Sequence, residues 1–242
     1  MRMYWILTGI IVVLILLAIM FGPNAWRLYK VTHLFDKNTI SYNFINMKEF
    51  FPTSTPIKAS NNPYVFKKRD DFLLPDLFEF EGEEKKIKEA IDYFNTDGLM
   101  ILKDGEIVYE NYWNKNKENS KHIIWSVSKS FLSALVGIAL DEGLIEDIND
   151  PIIKYLDDFK GTGYEGVSIK NLLQMSSGIK FNEDYGDPDS DINRYGRVTA
   201  TGTSQREFAK TLKNSKKPGT YNHYISLDSQ MLGMLVAEVS NM

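Results

Sequence analysis

Ile123-Ile124-Trp125-Ser126-Val127-Ser128-Lys129-Ser130-Phe131-Leu132, continuing to Gly143, is an apolar approach, a serine, a lysine three positions later and then an almost unbroken apolar run. A helix apolar on nearly every side is a buried helix, so the run over 131–140 predicts one. Ser126 then falls in its first turn, where unpaired backbone N–H groups and the positive end of the helix dipole face whatever binds there. Residues three apart are neighbours on a helix, so Lys129 reaches back toward Ser126. The stretch thus offers a hydroxyl nucleophile, an amine to take its proton and a positive field for an oxyanion. The plain alternative is an N-cap serine beside a solvated lysine. A second Ser-x-x-Lys, Ser177-Gly178-Ile179-Lys180, contains a glycine and runs on to Asn182, Gly186 and Pro188. That is turn chemistry, and this copy is read as a coincidence.

The 242 residues are 43% hydrophobic and 25% charged with a net charge of −4, an ordinary globular balance with nothing basic enough for nucleic acid. Cysteine is absent, which removes disulfides, thiolate metal ligands, a cysteine nucleophile and a lipid-anchor cysteine. Residues 3–22 carry no charge and are dominated by Ile, Leu and Val. About twenty such residues span a bilayer, and no small-x-small cleavage site precedes Pro23. The expectation is an uncleaved transmembrane signal anchor over 1–22, making the membrane a partner; a buried core helix is the alternative. Arg2, Arg27 and Lys30 do not set its orientation. Residues 23–82 mix aromatics with Asn, Thr, Ser and Pro without a sustained period and read as a connector wrapping the domain.

Within 83–95, Ile87, Ala90, Ile91 and Phe94 recur at spacings of three and four, predicting an amphipathic helix. Two β-rich runs, 99–103 and 106–113, flank Asp104-Gly105, a strong hairpin signal. A helix and an antiparallel hairpin ahead of the serine helix argue for an α+β fold rather than a parallel sheet. The G-x-S-x-G elbow of α/β-hydrolases is absent. Asp150-Pro151 predicts a short helix with Asp150 as N-cap, Ser168 caps a helix over 169–175, and Ser204 with Glu207 is a capping box. The acidic loop between them holds Glu183, Asp184, Asp187, Asp189 and Asp191. Its spacing invites a calcium loop, but Ile192 and Val198 occupy the positions that need glycine and a bidentate glutamate. It is read as a solvated surface or the rim of a substrate site, and no metal or cofactor is expected.

The second informative stretch is Lys217-Pro218-Gly219-Thr220-Tyr221-Asn222-His223-Tyr224-Ile225-Ser226-Leu227-Asp228-Ser229-Gln230-Met231-Leu232-Gly233. A Pro-Gly turn, a polar segment and an apolar helix place Tyr224 where a loop meets a helix. Together with Ser126-x-x-Lys129 and the intervening Leu172-Leu173-Gln174-Met175-Ser176-Ser177-Gly178, it resembles the serine β-lactamase and penicillin-recognising family. The likeness covers roughly 85–242 and is greatest to the class C and esterase-like branch that includes aminohexanoate-oligomer hydrolases.

The resemblance implies a β-lactamase/transpeptidase-like α+β fold, an antiparallel sheet with a helical subdomain, in which 83–242 is the N-terminal part of a serine hydrolase domain. It implies Ser126 as nucleophile, Lys129 as its partner base and Tyr224 as the phenol that passes the proton to the leaving group. Ser226 stands at the substrate-binding position where many members have asparagine, and the resemblance gives His223 no role, leaving it solvent-side or structural. Free lysine and tyrosine titrate at about 10.4 and 10, so either Lys129 or Tyr224 can be the base once its environment is tuned. The family's third motif, a Lys/His-Thr-Gly-like strand carrying half of the oxyanion hole, is not found, so the chain reads as lacking C-terminal strands. The implied function is an exported, membrane-anchored hydrolase cleaving a small-molecule or peptide-like amide or ester through an acyl-enzyme. The alternatives are a penicillin-binding carboxypeptidase or β-lactamase, and a non-catalytic binding module on the same fold.

Overall fold

The computed structural model describes residues 19–20, 22, 25–26, 29–50, 55–201 and 204–241, which form two compact units divided between Ile123 and Ile124. In the first unit a short helix α1 (Ile40–Ile45) is pinned by buried Asn43, whose amide donates to the Leu34 carbonyl at 2.9 Å. Strands β1 (Leu77–Phe80) and β2 (Glu83–Lys86) pair antiparallel, followed directly by α2 (Ile87–Tyr93). Strands β3 (Gly98–Lys103) and β4 (Glu106–Tyr112) form a second antiparallel pair. At its turn Asp104 and Gly105 have φ of 55° and 80°, the left-handed pair that matches the twist of a two-residue hairpin. The connector meets β4 in a parallel bridge, with Arg69 N–H donating to the Ile107 carbonyl and Ile107 N–H to that of Lys67, both at 2.8 Å.

Two expectations change in this unit. The helix predicted over 83–95 begins only at Ile87, because Glu81 and Gly82 form a second left-handed turn (φ 54° and 78°) that folds Glu83–Lys86 back as a strand. The transmembrane helix expected over 1–22 is corrected: no helix among the described residues is long and apolar enough to cross a membrane, and of that stretch only 19, 20 and 22 are described. The antiparallel hairpins keep the fold α+β.

The second unit is helical. A 3₁₀ turn (Trp125–Val127) opens α3 (Ser128–Asp141), which ends at Gly143 with φ 73°. Then come α4 (Ile169–Leu173), α5 (Asp191–Thr201), α6 (Gln205–Thr211) and α7 (Ser226–Ser240). Leu227, Met231, Leu232 and Leu235 of α7 are buried, each such burial worth roughly 1.5–3 kcal/mol, and α3 and α4 pack on that helix. The expected burial of the serine helix holds on one side only. Val136 and Ala139 are in the core, whereas Phe131 and Ile138 stay 64% and 52% exposed, because α7 covers a single face of α3. Ser168 forms the expected cap, with Asn171 completing a capping box, and α4 stops at Leu173 rather than 175. The turn after Asp150 is 3₁₀ (Ile152–Lys154) with extended Pro151 as its N-cap, since Pro151 bridges to Ser168 and Asp150 is engaged by Lys154 and Tyr155.

Asp228, in the first turn of α7, is fully buried, and neither carboxylate oxygen has a hydrogen-bond partner of normal geometry. Burial pushes its carboxyl up to about 7, although nearby Ser177 and Tyr164 favour the charged form and Glu183 opposes it. The unfolded chain would titrate near the ordinary 3.8, so this group's stability contribution is complete below that value and is lost as pH rises through about 7. Asp228→Asn is therefore expected to raise the unfolding free energy at pH 8 by up to about 4 kcal/mol and to change it little at pH 4. Urea unfolding of both proteins at the two pH values measures this, and an equal effect at both would contradict it.

Candidate active site

Tyr224 is positioned by a loop stitched to a second loop. The segment 174–181 turns through Met175 (φ 50°) and Gly178 (φ 74°), and the chain over 214–223 docks on it. Gly219 N–H donates to the Ser176 carbonyl, His223 N–H to that of Met175 and the Asn222 amide to that of Gln174, each at 2.8 Å. Lys216 N–H reaches the Gly178 carbonyl at 3.1 Å. A Cβ on Gly178 would lie 2.3 Å from the Lys216 carbonyl oxygen, so only glycine permits this approach. The His223 ring bonds to the Phe181 carbonyl at 3.0 Å, a structural role. Tyr224 emerges from this junction immediately before α7.

Ser126 lies in the 3₁₀ turn ahead of α3, after Trp125, whose φ of 41° is costly for an aromatic residue. The Ser128 hydroxyl donates to the Trp125 carbonyl at 2.7 Å and holds the turn. Two groups converge on Ser126 Oγ: Lys129 Nζ donates to it at 3.0 Å and the Tyr224 hydroxyl at 2.8 Å. Lys129 Nζ also lies 5.2 Å from the Tyr224 ring centroid and 3.5 Å from Ser226 Oγ. Burial pushes the Tyr224 phenol up, but the Lys129 and Ser126 hydrogen bonds and the Lys129 charge outweigh it, leaving the phenol below its ordinary value. Lys129 and Tyr224 thus meet at the Ser126 hydroxyl, and Ser226 joins them through Lys129.

One residue of the cluster was not singled out. The Glu183 carboxylate accepts from Ser226 N–H at 2.9 Å and from the Ser226 hydroxyl at 2.5 Å, and Tyr185 donates to it at 3.0 Å. In sequence Glu183 is one of five acidic residues in a polar loop, and no local pattern separates it from the others. The rest of that loop is occupied with its own backbone. Asp187 accepts from Asp189 N–H, Asp184 from Gly186 N–H and Asp191 from Asn182 N–H. Among the described residues no group of three or more His, Asp or Glu is arranged to hold a metal ion. The second Ser-x-x-Lys forms no comparable pair: Ser177 is fully buried, accepting from Ile179 N–H at 3.4 Å, while Lys180 is exposed.

Residues 85–242 match the family described as Beta-lactamase. A 6-aminohexanoate-dimer hydrolase of Paenarthrobacter ureafaciens is 30% identical over 176 residues, 70% of this chain and 42% of that protein. A beta-lactamase of Pseudomonas fluorescens is 26% identical over 150 residues, 58% of this chain and 38% of that protein. The chain thus spans less than half the length of these two relatives. Among solved structures, a Bacillus anthracis protein provisionally described as a 6-aminohexanoate-dimer hydrolase superposes with a TM-score of 0.72 at 20% identity. That match covers 86% of this chain and 57% of the other, and it shows a shared fold.

The geometry separates the two serines chemically. An alkyl fluorophosphonate should label the complete gene product on the peptide containing Ser126, and Ser126→Ala should abolish labelling while Ser177→Ala retains it. Mass spectrometry of the labelled peptides reads this out. Label on Ser177, or label surviving Ser126→Ala, would contradict it.

Proposed function

The chain belongs to the beta-lactamase family, and from that premise we propose that it is a serine hydrolase cleaving amide or ester bonds through an acyl-enzyme on Ser126. The observation that carries this reading is the convergence of Lys129 and Tyr224 on Ser126 Oγ at 3.0 and 2.8 Å. A serine hydroxyl is a weak nucleophile until a base within hydrogen-bond reach takes its proton. In the proposed sequence, Ser126 Oγ attacks the substrate carbonyl as its proton passes to the Lys129–Tyr224 pair. The tetrahedral adduct collapses, breaking the bond to the leaving nitrogen or oxygen, which receives that proton through Tyr224. Water then adds to the acyl carbonyl as it gives a proton to the pair, and when the ester to Ser126 breaks the pair returns that proton to Ser126 Oγ.

The Tyr224 phenol, held below its ordinary value by Lys129 and Ser126, supports a pair that shares one proton, with a phenolate stabilised opposite a protonated Lys129. The substrate class we favour is a linear amide, on the 30% identity to a 6-aminohexanoate-dimer hydrolase. Ser226 supports the same preference, since a short hydroxyl tied to Glu183 presents less to a substrate's side-chain amide than asparagine would.

The complete gene product should hydrolyse the linear dimer of 6-aminohexanoate or a nitrophenyl ester with a burst on the first turnover. Tyr224→Phe and Lys129→Ala are each expected to reduce kcat by about 10²–10⁴-fold, with the double variant losing little more, because groups acting as a unit are non-additive. Strictly multiplicative losses would argue against a shared proton. Stable labelling by a fluorescent penicillin with no ester or amide turnover would move the protein to the penicillin-binding class, and no acylation by any of these reagents would leave a binding module.

A further inference from the structure

We propose that Glu183 is a positioning residue of this site, its carboxylate orienting Ser226 so that the lone pairs of the Ser226 hydroxyl face Lys129. The inference rests on the serine-hydrolase reading and adds a residue to it. A serine hydroxyl has one proton and can point it anywhere on a cone, so by itself it meets a neighbouring ammonium in the wrong orientation as readily as the right one. Glu183 removes that freedom. One of its oxygens takes the Ser226 hydroxyl proton at 2.5 Å and the other takes the Ser226 N–H at 2.9 Å, a two-point grip on a single residue. With its proton committed, Ser226 Oγ has only lone pairs left for Lys129 Nζ, 3.5 Å away. Lys129 is then held between Ser126 Oγ and Ser226 Oγ, aimed at the nucleophile.

The same arrangement accounts for serine at 226. An asparagine there would offer its carbonyl oxygen to the lysine directly, whereas serine becomes a one-way acceptor only with an anionic acceptor behind it. The groups facing Glu183 are Tyr185 from its own loop, Ser226 and buried Asp228 from α7, Tyr224 just before α7, and Lys129 of α3 beyond Ser226. Its negative charge opposes ionisation of the Tyr224 phenol, so it tunes the pair as well as aligning it.

Glu183→Gln is nearly isosteric but sets an N–H donor against either the Ser226 N–H or its hydroxyl. In the complete protein it is expected to slow fluorophosphonate acylation of Ser126 by about tenfold or more. In a Ser226→Asn background the same change should cost much less, because asparagine supplies the acceptor itself. The Tyr224 titration, followed by NMR of ¹³C-labelled tyrosine and assigned with Tyr224→Phe, should move to lower pH in Glu183→Gln and stay in place in Glu183→Asp. An unchanged acylation rate, equal losses in both backgrounds, or an unmoved Tyr224 titration would overturn the inference. A wild-type protein that is not acylated at all would instead defeat the hydrolase reading, while the tyrosine titration would still decide the role of Glu183.

Discussion

The backbone of Lys216 passes so close to Gly178 that any side chain at 178 would overlap its carbonyl oxygen, and the placement of Tyr224 depends on that approach. From this contact the chain over 216–223 runs along 174–181 by backbone hydrogen bonds from Lys216, Gly219 and His223. Backbone-to-backbone bonding of this kind is insensitive to most side chains and sensitive to geometry, which is why left-handed Met175 and Gly178 matter more than the apolar content of the loop. Its product is the delivery of a phenol to a serine 98 residues earlier in the chain.

The two halves of the site rest on different supports. Ser126 and Lys129 come from one helical turn and the start of α3, so their relation is local and needs only that the turn forms. Tyr224 and Ser226 bracket the start of α7, the best-buried helix of the second unit, whose Leu227, Met231 and Leu235 anchor it. Packing of α3 on α7 joins the halves. A cost is visible beside the junction: in the same first turn of α7 Asp228 is a buried carboxyl without a hydrogen bond of normal geometry, and the nearby Tyr164 hydroxyl likewise lacks one. Buried groups of this kind cost stability unless they are neutral or bonded, and Asp228 avoids the cost by holding its proton up to about pH 7.

Membership of the beta-lactamase family and the Ser126–Lys129–Tyr224 cluster support one another without being the same observation. The family match rests on residue patterns over 85–242, whereas the cluster rests on where a loop docks. Glu183 lies in neither the Ser126-x-x-Lys129 stretch nor the stretch around Tyr224. It becomes visible because the acidic loop turns inward after buried Phe181, bringing one carboxylate of five onto Ser226 while its neighbours bond to the loop itself.

What the sequence by itself determined are the features governed by neighbours along the chain: the Asp104-Gly105 hairpin, the Ser168 and Ser204 caps, the Ser126–Lys129 pair, and the α+β character that follows from a hairpin ahead of helices. Each is set by local φ preference, a short-range hydrogen bond or the helical repeat. The periodicity over 83–95 misled because a left-handed Glu81-Gly82 turn pairs Glu83–Lys86 with Leu77–Phe80, and strand pairing overrides a weak helical preference at a helix's first turn. The apolar run after Ser126 likewise says that α3 is hydrophobic, without saying which side of it α7 covers. Only the tertiary structure decided that Tyr224 and Ser226 meet Ser126 and Lys129, that Glu183 grips Ser226 and that Asp228 is sealed in. Those outcomes depend on groups tens of residues apart, whose proximity is set by packing and by one glycine's missing Cβ rather than by any repeat in the chain.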